Sequence, residues 1–310
     1  MNWIRRAPGL AAVLMIGATV GCTAGSSPKT KEPPLGVVQV VRPSAPLALP
    51  LEAYSMSYRD YLSIQKASWR LTRECVERFG GVYTLPESAV VQNAPPDLGN
   101  QRRYGLFDPK SAAEYGYHLP PSASGPESGP SGPAKARGKG GGWNPTAAER
   151  VLVRGAEAGR PVPTDRAGKP LPAGGCSGEA TRLVEATAKP PDEQLGNRLA
   201  IEAHDRSEND SRVRAALTKW VACMKQRGYS YRSIWEPNDQ RWPAPATEAE
   251  IATAKADVAC KQAVNLVGVW YAVEVAQQKQ IIEDRSQELN AVRSYLRTTI
   301  SNAARAVGAE

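Results

Sequence analysis

At 310 residues the chain is long enough for one or two domains with a sizeable core, but its 27 glycines and 26 prolines argue against using the whole length that way. Aromatics make up only 6% (seven Trp, eleven Tyr, two Phe), and two histidines leave little material for a histidine-built metal site or catalytic triad. The net charge is +8, and without residues 1–21, which hold Arg5 and Arg6 and no acid, it is +6, which excludes the profile of a dedicated nucleic-acid binder.

Residues 1–21 read as a secretory signal, with Arg5 and Arg6 as the cationic start and an apolar stretch over 10–18. That stretch is too short to span a bilayer, which takes ~20 apolar residues as a helix. Thr19-Val20-Gly21-Cys22 resembles a bacterial lipobox, in which cleavage precedes a cysteine that has received diacylglycerol; Thr19 stands where an aliphatic residue is usual. The alternative is ordinary cleavage near Ala24 and release as a secreted protein. Residues 22–50 follow as a tether, its start small, polar and proline-bearing. Cysteine number agrees with export: giving Cys22 to lipid leaves Cys75, Cys176, Cys223 and Cys260, an even set for disulfides outside the cytosol.

Residues 37–41 form a short apolar run, a strand or an extended docking segment. The N-terminal half, 51–118, opens with a helix over 52–79, where Tyr54, Tyr58, Tyr61, Leu62, Trp69 and Val76 draw one face and Gly80-Gly81 stops it. Asp108-Pro109 has the cap-then-proline form of a short helix start. Residues 119–143 are rich in Gly, Pro and Ser and read as a disordered loop; Lys135, Arg137 and Lys139 within it read as solvated charge.

The C-terminal half, 144–310, begins with a helix over 146–155 and an extended excursion over 161–172 turning at 165–168. A helix over 177–189 comes next, then a helical stretch over 192–227, broken near Asn209-Asp210. Val213, Leu217, Trp220 and Met224 form its buried stripe, and Gly228 ends it. Thr247 and Glu250 make a capping box for one long helix running to about residue 307. In it Val275, Ile282, Leu289, Leu296 and Ala303 repeat every seven residues, while Gln278, Arg285 and Thr299 dilute the second seam. Such a pattern predicts one helix lying along a partner, inside the chain or outside it.

Cys75 and Cys223 sit in similar frames, each with glycine five residues on, tyrosine eight on and a tryptophan upstream. Three pairings of the four cysteines are open; the economical one joins Cys75 to Cys176 and Cys223 to Cys260, one staple per half. Each closed loop would contribute on the order of 4 kcal/mol by the chain-entropy argument. No Cys-x-x-Cys occurs, so the cysteines are read as structural and not redox-active.

The lipobox, the Ala/Arg/Pro-rich composition, the Trp-x-x-Cys-Met-x-x-x-Gly-Tyr segment over 220–229 and the Ala-x-x-Asp-x-x-Cys segment over 254–260 together resemble a group of cell-envelope lipoproteins of streptomycetes and related actinobacteria. The resemblance implies a membrane-tethered, extracytoplasmic protein and carries no catalytic residue with it.

Reactive constellations are sparse: no His-Glu-x-x-His, no phosphate-cradling glycine loop and no Gly-x-Ser-x-Gly elbow. His204 among Glu202, Asp205, Glu208 and Asp210 reads as a solvated helix face, and His118 borders the loop. Glu250 and Asp257, seven apart, read as cap and surface residues. Tyr229, Tyr231, Trp235 and Trp242, with Arg232 and Arg241 interleaved, are the candidate binding surface, able to stack on glycan rings or meet a protein; the competing reading makes them core. The expected molecule is therefore a mainly α, disulfide-stapled ectodomain with a long C-terminal helix. It is expected to be non-catalytic, without metal or cofactor, and to bind a protein through that helix or a wall polymer. The alternatives are a wall hydrolase using Glu202, Asp205 or Asp257, and an accessory subunit of a membrane transporter.

Overall fold

The computed structural model describes residues 32–43, 47–92, 99–100, 102–120, 143–185 and 189–308. The signal, the lipobox with Cys22, and residues 121–142 of the loop expected over 119–143 lie outside the described residues, whereas Trp143 at the end of that loop packs on Tyr83. The rest is mainly helical and contains no strand among the described residues. A 3-10 turn (Pro50–Tyr54) leads into α1 (Tyr58–Arg78), α2 (Glu87–Gln92), α3 (Pro109–Tyr115), α4 (Ala147–Arg154), α5 (Gly175–Glu185) and α6 (Leu195–Glu208). Then come α7 (Ser211–Gln226), α8 (Trp235–Asp239), α9 (Glu248–Ala263), α10 (Leu266–Asp284) and α11 (Ser286–Gly308). No helix among the described residues is long and apolar enough to cross a membrane.

Each disulfide sits in its own packing group. Cys75–Cys176 (Cα–Cα 5.5 Å) joins α1 to α5, beside Val76, Val153 and Leu171, and Ala303 of α11 packs with Ala67 and Val184 further along the same pair. Cys223–Cys260 (Cα–Cα 5.7 Å) joins α7 to α9 under α10, among Trp220, Met224, Val267 and Trp270. A third cluster connects the groups: Leu51 and Tyr54 of the 3-10 turn, Leu195 and Leu199 of α6, Ile281 of α10, and Leu289, Val292 and Leu296 of α11.

The two cysteine frames have the same backbone ending. In α1, Gly80 (φ 73°) donates to the Glu77 carbonyl and Gly81 to that of Val76; in α7, Gly228 (φ 89°) donates to Lys225 and Tyr229 to Met224. Both are Schellman closures, in which a left-handed glycine lets the last carbonyls find donors. The later tyrosines differ in their neighbours: Tyr83 packs between Trp69 and Trp143, whereas Tyr231 stacks on Tyr229.

Several expected boundaries move. The helix expected over 52–79 is interrupted at 55–57, where Ser57 accepts from the Asp60 amide and restarts the helix as α1. The single helix expected from Thr247 to about residue 307 is three. Asn265, in the left-handed region (φ 49°), separates α9 from α10, and Arg285 (φ −116°) separates α10 from α11. Asparagine tolerates that conformation through its short polar side chain, so a proline-free, glycine-poor sequence still turned. Of the heptad stripe, Leu289 and Leu296 pack with Val292 of the second seam against α6 and the 3-10 turn, Ala303 packs against α1 and α5, and Val275 and Ile282 are half-buried. The tether expected over 22–50 also ends early. The Arg212 guanidinium donates to the Pro33 carbonyl (2.9 Å), and Leu35, Val41 and Leu47 pack on the α7/α9/α10 core.

Replacing either cysteine pair by alanine is expected to cost about 2–4 kcal/mol of stability. Thermal unfolding with and without reductant checks this: the wild-type transition should fall on reduction, and a chain lacking both pairs should be insensitive to it.

Candidate functional site

The interior polar groups gather around one irregular stretch, residues 102–118, which threads between α6, α7, α9 and α10. Tyr104, Leu106, Phe107 and Tyr117 are buried, although only the middle of the stretch (α3) is helical. Buried irregular backbone lacks the internal hydrogen bonds of a helix, so its N–H and C=O groups need outside partners. Charged side chains from α9 and α10 supply them.

On α9, Glu250, Ala254, Asp257 and Lys261 recur at steps of four, three and four and share one buried face. The Lys261 ammonium donates to the Leu106 carbonyl (2.8 Å) and to Asp257 Oδ2 (3.0 Å). Asp257 also accepts from the Trp220 indole (2.9 Å) and the Tyr117 hydroxyl (3.2 Å). Glu250 Oε1 accepts from the Tyr117 amide (2.8 Å), and Glu250 Oε2 lies 3.3 Å from His118 Nε2. Gly105 and Gly116 make these approaches possible: a Cβ on them would lie 2.8 Å from Lys261 Nζ and 2.5 Å from Glu250 Oε1.

The capping box is therefore half a box. Thr247 does accept from the Glu250 amide (3.2 Å), but the Glu250 carboxylate turns to Tyr117. Glu250 and Asp257, expected as cap and surface groups, are fully buried, because an inserted segment covers the face they share.

On α10, Glu274 is the second centre. It accepts from the Arg103 guanidinium on both oxygens, from the Tyr104 hydroxyl (2.9 Å) and from the Gln278 amide (2.8 Å); His204 Nδ1 lies 3.1 Å from its Oε2. Arg103 continues to the Ala200 carbonyl of α6 (2.9 Å), and Gln278 accepts from the Leu51 amide of the 3-10 turn (2.9 Å). His204 lies flat on Trp270 (centroids 5.3 Å apart, planes 6° apart), and Trp270 donates to Ser207 Oγ (2.7 Å). The expected solvated histidine is thus a bound one, because its carboxylate partner arrives from α10, 70 residues away in sequence.

Burial pushes the Asp257 carboxyl up and the Lys261 ammonium down, so each charge depends on the other. Burial alone would also raise Glu274, but hydrogen bonds from His204 and Arg103, with the guanidinium charge, hold it below the usual carboxylate range. Burial and then the neighbouring carboxylates push the Tyr104 and Tyr117 hydroxyls up, keeping both as donors. Chemically, the Glu274–His204 contact can orient an imidazole, and the Asp257–Lys261 pair is closed off by Trp220, Tyr117 and the Leu106 carbonyl. Among the described residues no group of three His, Cys, Asp or Glu side chains forms a metal site.

The aromatic candidates separate. Trp235 begins α8 instead of extending the alternation of Tyr229 and Tyr231; it meets the edge of Trp270 and donates to Glu208 (3.1 Å). Trp242 stacks on Tyr117 (planes 8° apart) and donates to the Pro237 carbonyl (2.9 Å). Tyr229 and Tyr231 remain together, parallel to within 10° and half-buried, next to an exposed Arg232. The carboxylates weighed for catalysis do not share surroundings: Glu202 pairs with Arg206 on an exposed face of α6, whereas Asp257 is sealed inside. Lys261, Glu274, Arg103, Tyr104 and Tyr117 escaped the sequence reading. The available signal was periodicity, since Glu274 lies four residues from both Trp270 and Gln278 on one face.

Asp257→Asn and Lys261→Met should each cost about 3–5 kcal/mol by stranding a buried charge. The double variant should recover a clear part of that loss in chemical denaturation; strict additivity would contradict the pairing. Glu274 gives a pH signature. Its folded carboxyl binds a proton less tightly than the unfolded one, so its stabilisation is complete above the unfolded value of ~4.3 and is lost as pH falls through the lower folded value. Glu274→Gln should therefore flatten the acid limb of the stability curve, measured by denaturation between neutral and acid pH. No family model matches this chain, and neither the comparison with curated proteins nor the comparison with solved structures returns a match.

Proposed function

We propose that this is a non-catalytic lipoprotein of the cell envelope, held on the extracytoplasmic face of the membrane through Cys22, whose helical body binds a protein partner or wall polymer. The observation that carries the reading is the cysteine inventory. Four cysteines lie in two pairs at bonding distance, and the fifth stands in the lipobox-like position. Disulfides of this kind persist in oxidising compartments, and a fifth, unpaired thiol has a use there as a lipid acceptor.

The buried charges support a scaffold over a hydrolase. Asp257 and Glu274 are engaged by several donors of the chain itself, and they hold residues 102–118 in place. Tyr229 and Tyr231 are half-buried, pack on the α7/α9/α10 core and stack on each other beside the exposed Arg232, and we assign ligand contact to this pair. Stacking of ring faces on sugars or on a partner's side chains suits such a pair.

Mass spectrometry of the protein isolated from its own membranes is the test. The expected N-terminal peptide begins at Cys22 and carries acyl mass, and Cys22→Ala should release the protein from the membrane fraction. A mature chain beginning beyond residue 22 without lipid would replace this reading by a secreted one. Tyr229→Ala/Tyr231→Ala, with unfolding unchanged, should lower recovery of crosslinked partner or wall fragments several-fold.

A further inference from the structure

Residues 36–40 (Gly-Val-Val-Gln-Val) cross the surface of the body with Val37 88% and Val40 77% exposed and no strand partner among the described residues. They are not a frayed end. Arg212 holds the Pro33 carbonyl, Leu35 and Val41 pack on the core on either side, and Asn265 donates to the Gln39 carbonyl (3.2 Å). Helix α10 meets that carbonyl directly: a Cβ on Gly268 would lie 2.2 Å from it. The backbone is thus pinned from below while the valines stay in solvent. Residues 35–41 contain no charge, and a β-prone, uncharged apolar run is a feature proteins normally cover.

What covers it follows from the chain just upstream. Ten residues, 23–32, separate Cys22 from Pro33. Their covalent length limits the span to about 35 Å. They carry Lys29 and Lys31 against the single acid Glu32, and an exposed Arg42 follows the valines. A lipid on Cys22 therefore keeps these valines close to a bilayer, with cations on both sides of them in sequence.

We propose that residues 36–40 are the membrane-contact site of the body. Val37 and Val40 seat in the headgroup boundary of the bilayer that holds the lipid, while the exposed Arg42 beside them meets an anionic headgroup. The lipid anchors the protein, and the valines orient the body against the membrane. This inference rests on the lipid-anchor reading of Cys22.

The test is hydrogen exchange of the 33–42 amides in the lipidated protein reconstituted into phosphatidylglycerol/phosphatidylethanolamine vesicles, compared with the unlipidated Cys22→Ser protein in solution. Exchange over 36–40 is expected to slow about tenfold on vesicles. The slowing should vanish in lipidated Val37→Asp/Val40→Asp, which stays vesicle-bound and unfolds at the wild-type temperature. Equal exchange on vesicles and in solution overturns the contact while leaving the anchor intact. Absence of lipid by mass overturns the anchor reading itself. Protection in solution that rises with protein concentration overturns the contact in favour of a second copy of the chain.

Discussion

Burying irregular backbone is costly unless every N–H and C=O finds a partner, and residues 102–118 incur that cost in the middle of this molecule. The partners come from charged side chains on neighbouring helices. Lys261 reaches the Leu106 carbonyl, Glu250 receives the Tyr117 amide, and Glu274 gathers Arg103, Tyr104 and His204. Removing the segment would leave three carboxylates and an ammonium with few partners in an apolar surround. The segment and the α9/α10 face are thus mutually dependent, and the rest of the packing is arranged around them.

The Trp-x-x-Cys-Met and Ala-x-x-Asp-x-x-Cys segments gain physical content from this arrangement. Trp220 donates to Asp257 and Cys223 bonds to Cys260, so the two motif residues one turn upstream of the bridged cysteines also meet each other. Covalent and polar contacts together fix α7 against α9. Asp257 then joins that lock to the inserted segment through Tyr117. The same carboxylate therefore serves two junctions, which accounts for its burial better than a surface or acid–base role does.

Local chemistry was readable where it acts within a few residues. Asp108 caps α3 and Asp210 caps α7, and glycines close α1 and α7 by the same hydrogen-bond pattern. The stripe of Val213, Leu217, Trp220 and Met224 packs in the core as its spacing implied. Misreadings cluster where a distant segment changes what a residue can reach. Glu250 abandons the capping box for Tyr117, and His204 leaves a charged helix face for Glu274 and Trp270. Asn265 breaks a continuous helical pattern where the 33–43 segment crosses, its side chain held by the Gln39 carbonyl.

By itself the sequence determined the caps of several helices, the apolar stripe of α7 and an even set of four cysteines for disulfides, because caps and stripes depend on neighbours within a turn or two and the set on simple parity. Only the tertiary structure decided which charges are interior and which partners the aromatic rings meet. Burial is set by what packs over a face, and here the covering segment comes from more than a hundred residues away, as in Glu250 with Tyr117 and Lys261 with Leu106. A helical pattern can state that Glu250, Asp257 and Lys261 share a side; it cannot state that another part of the chain will lie across it.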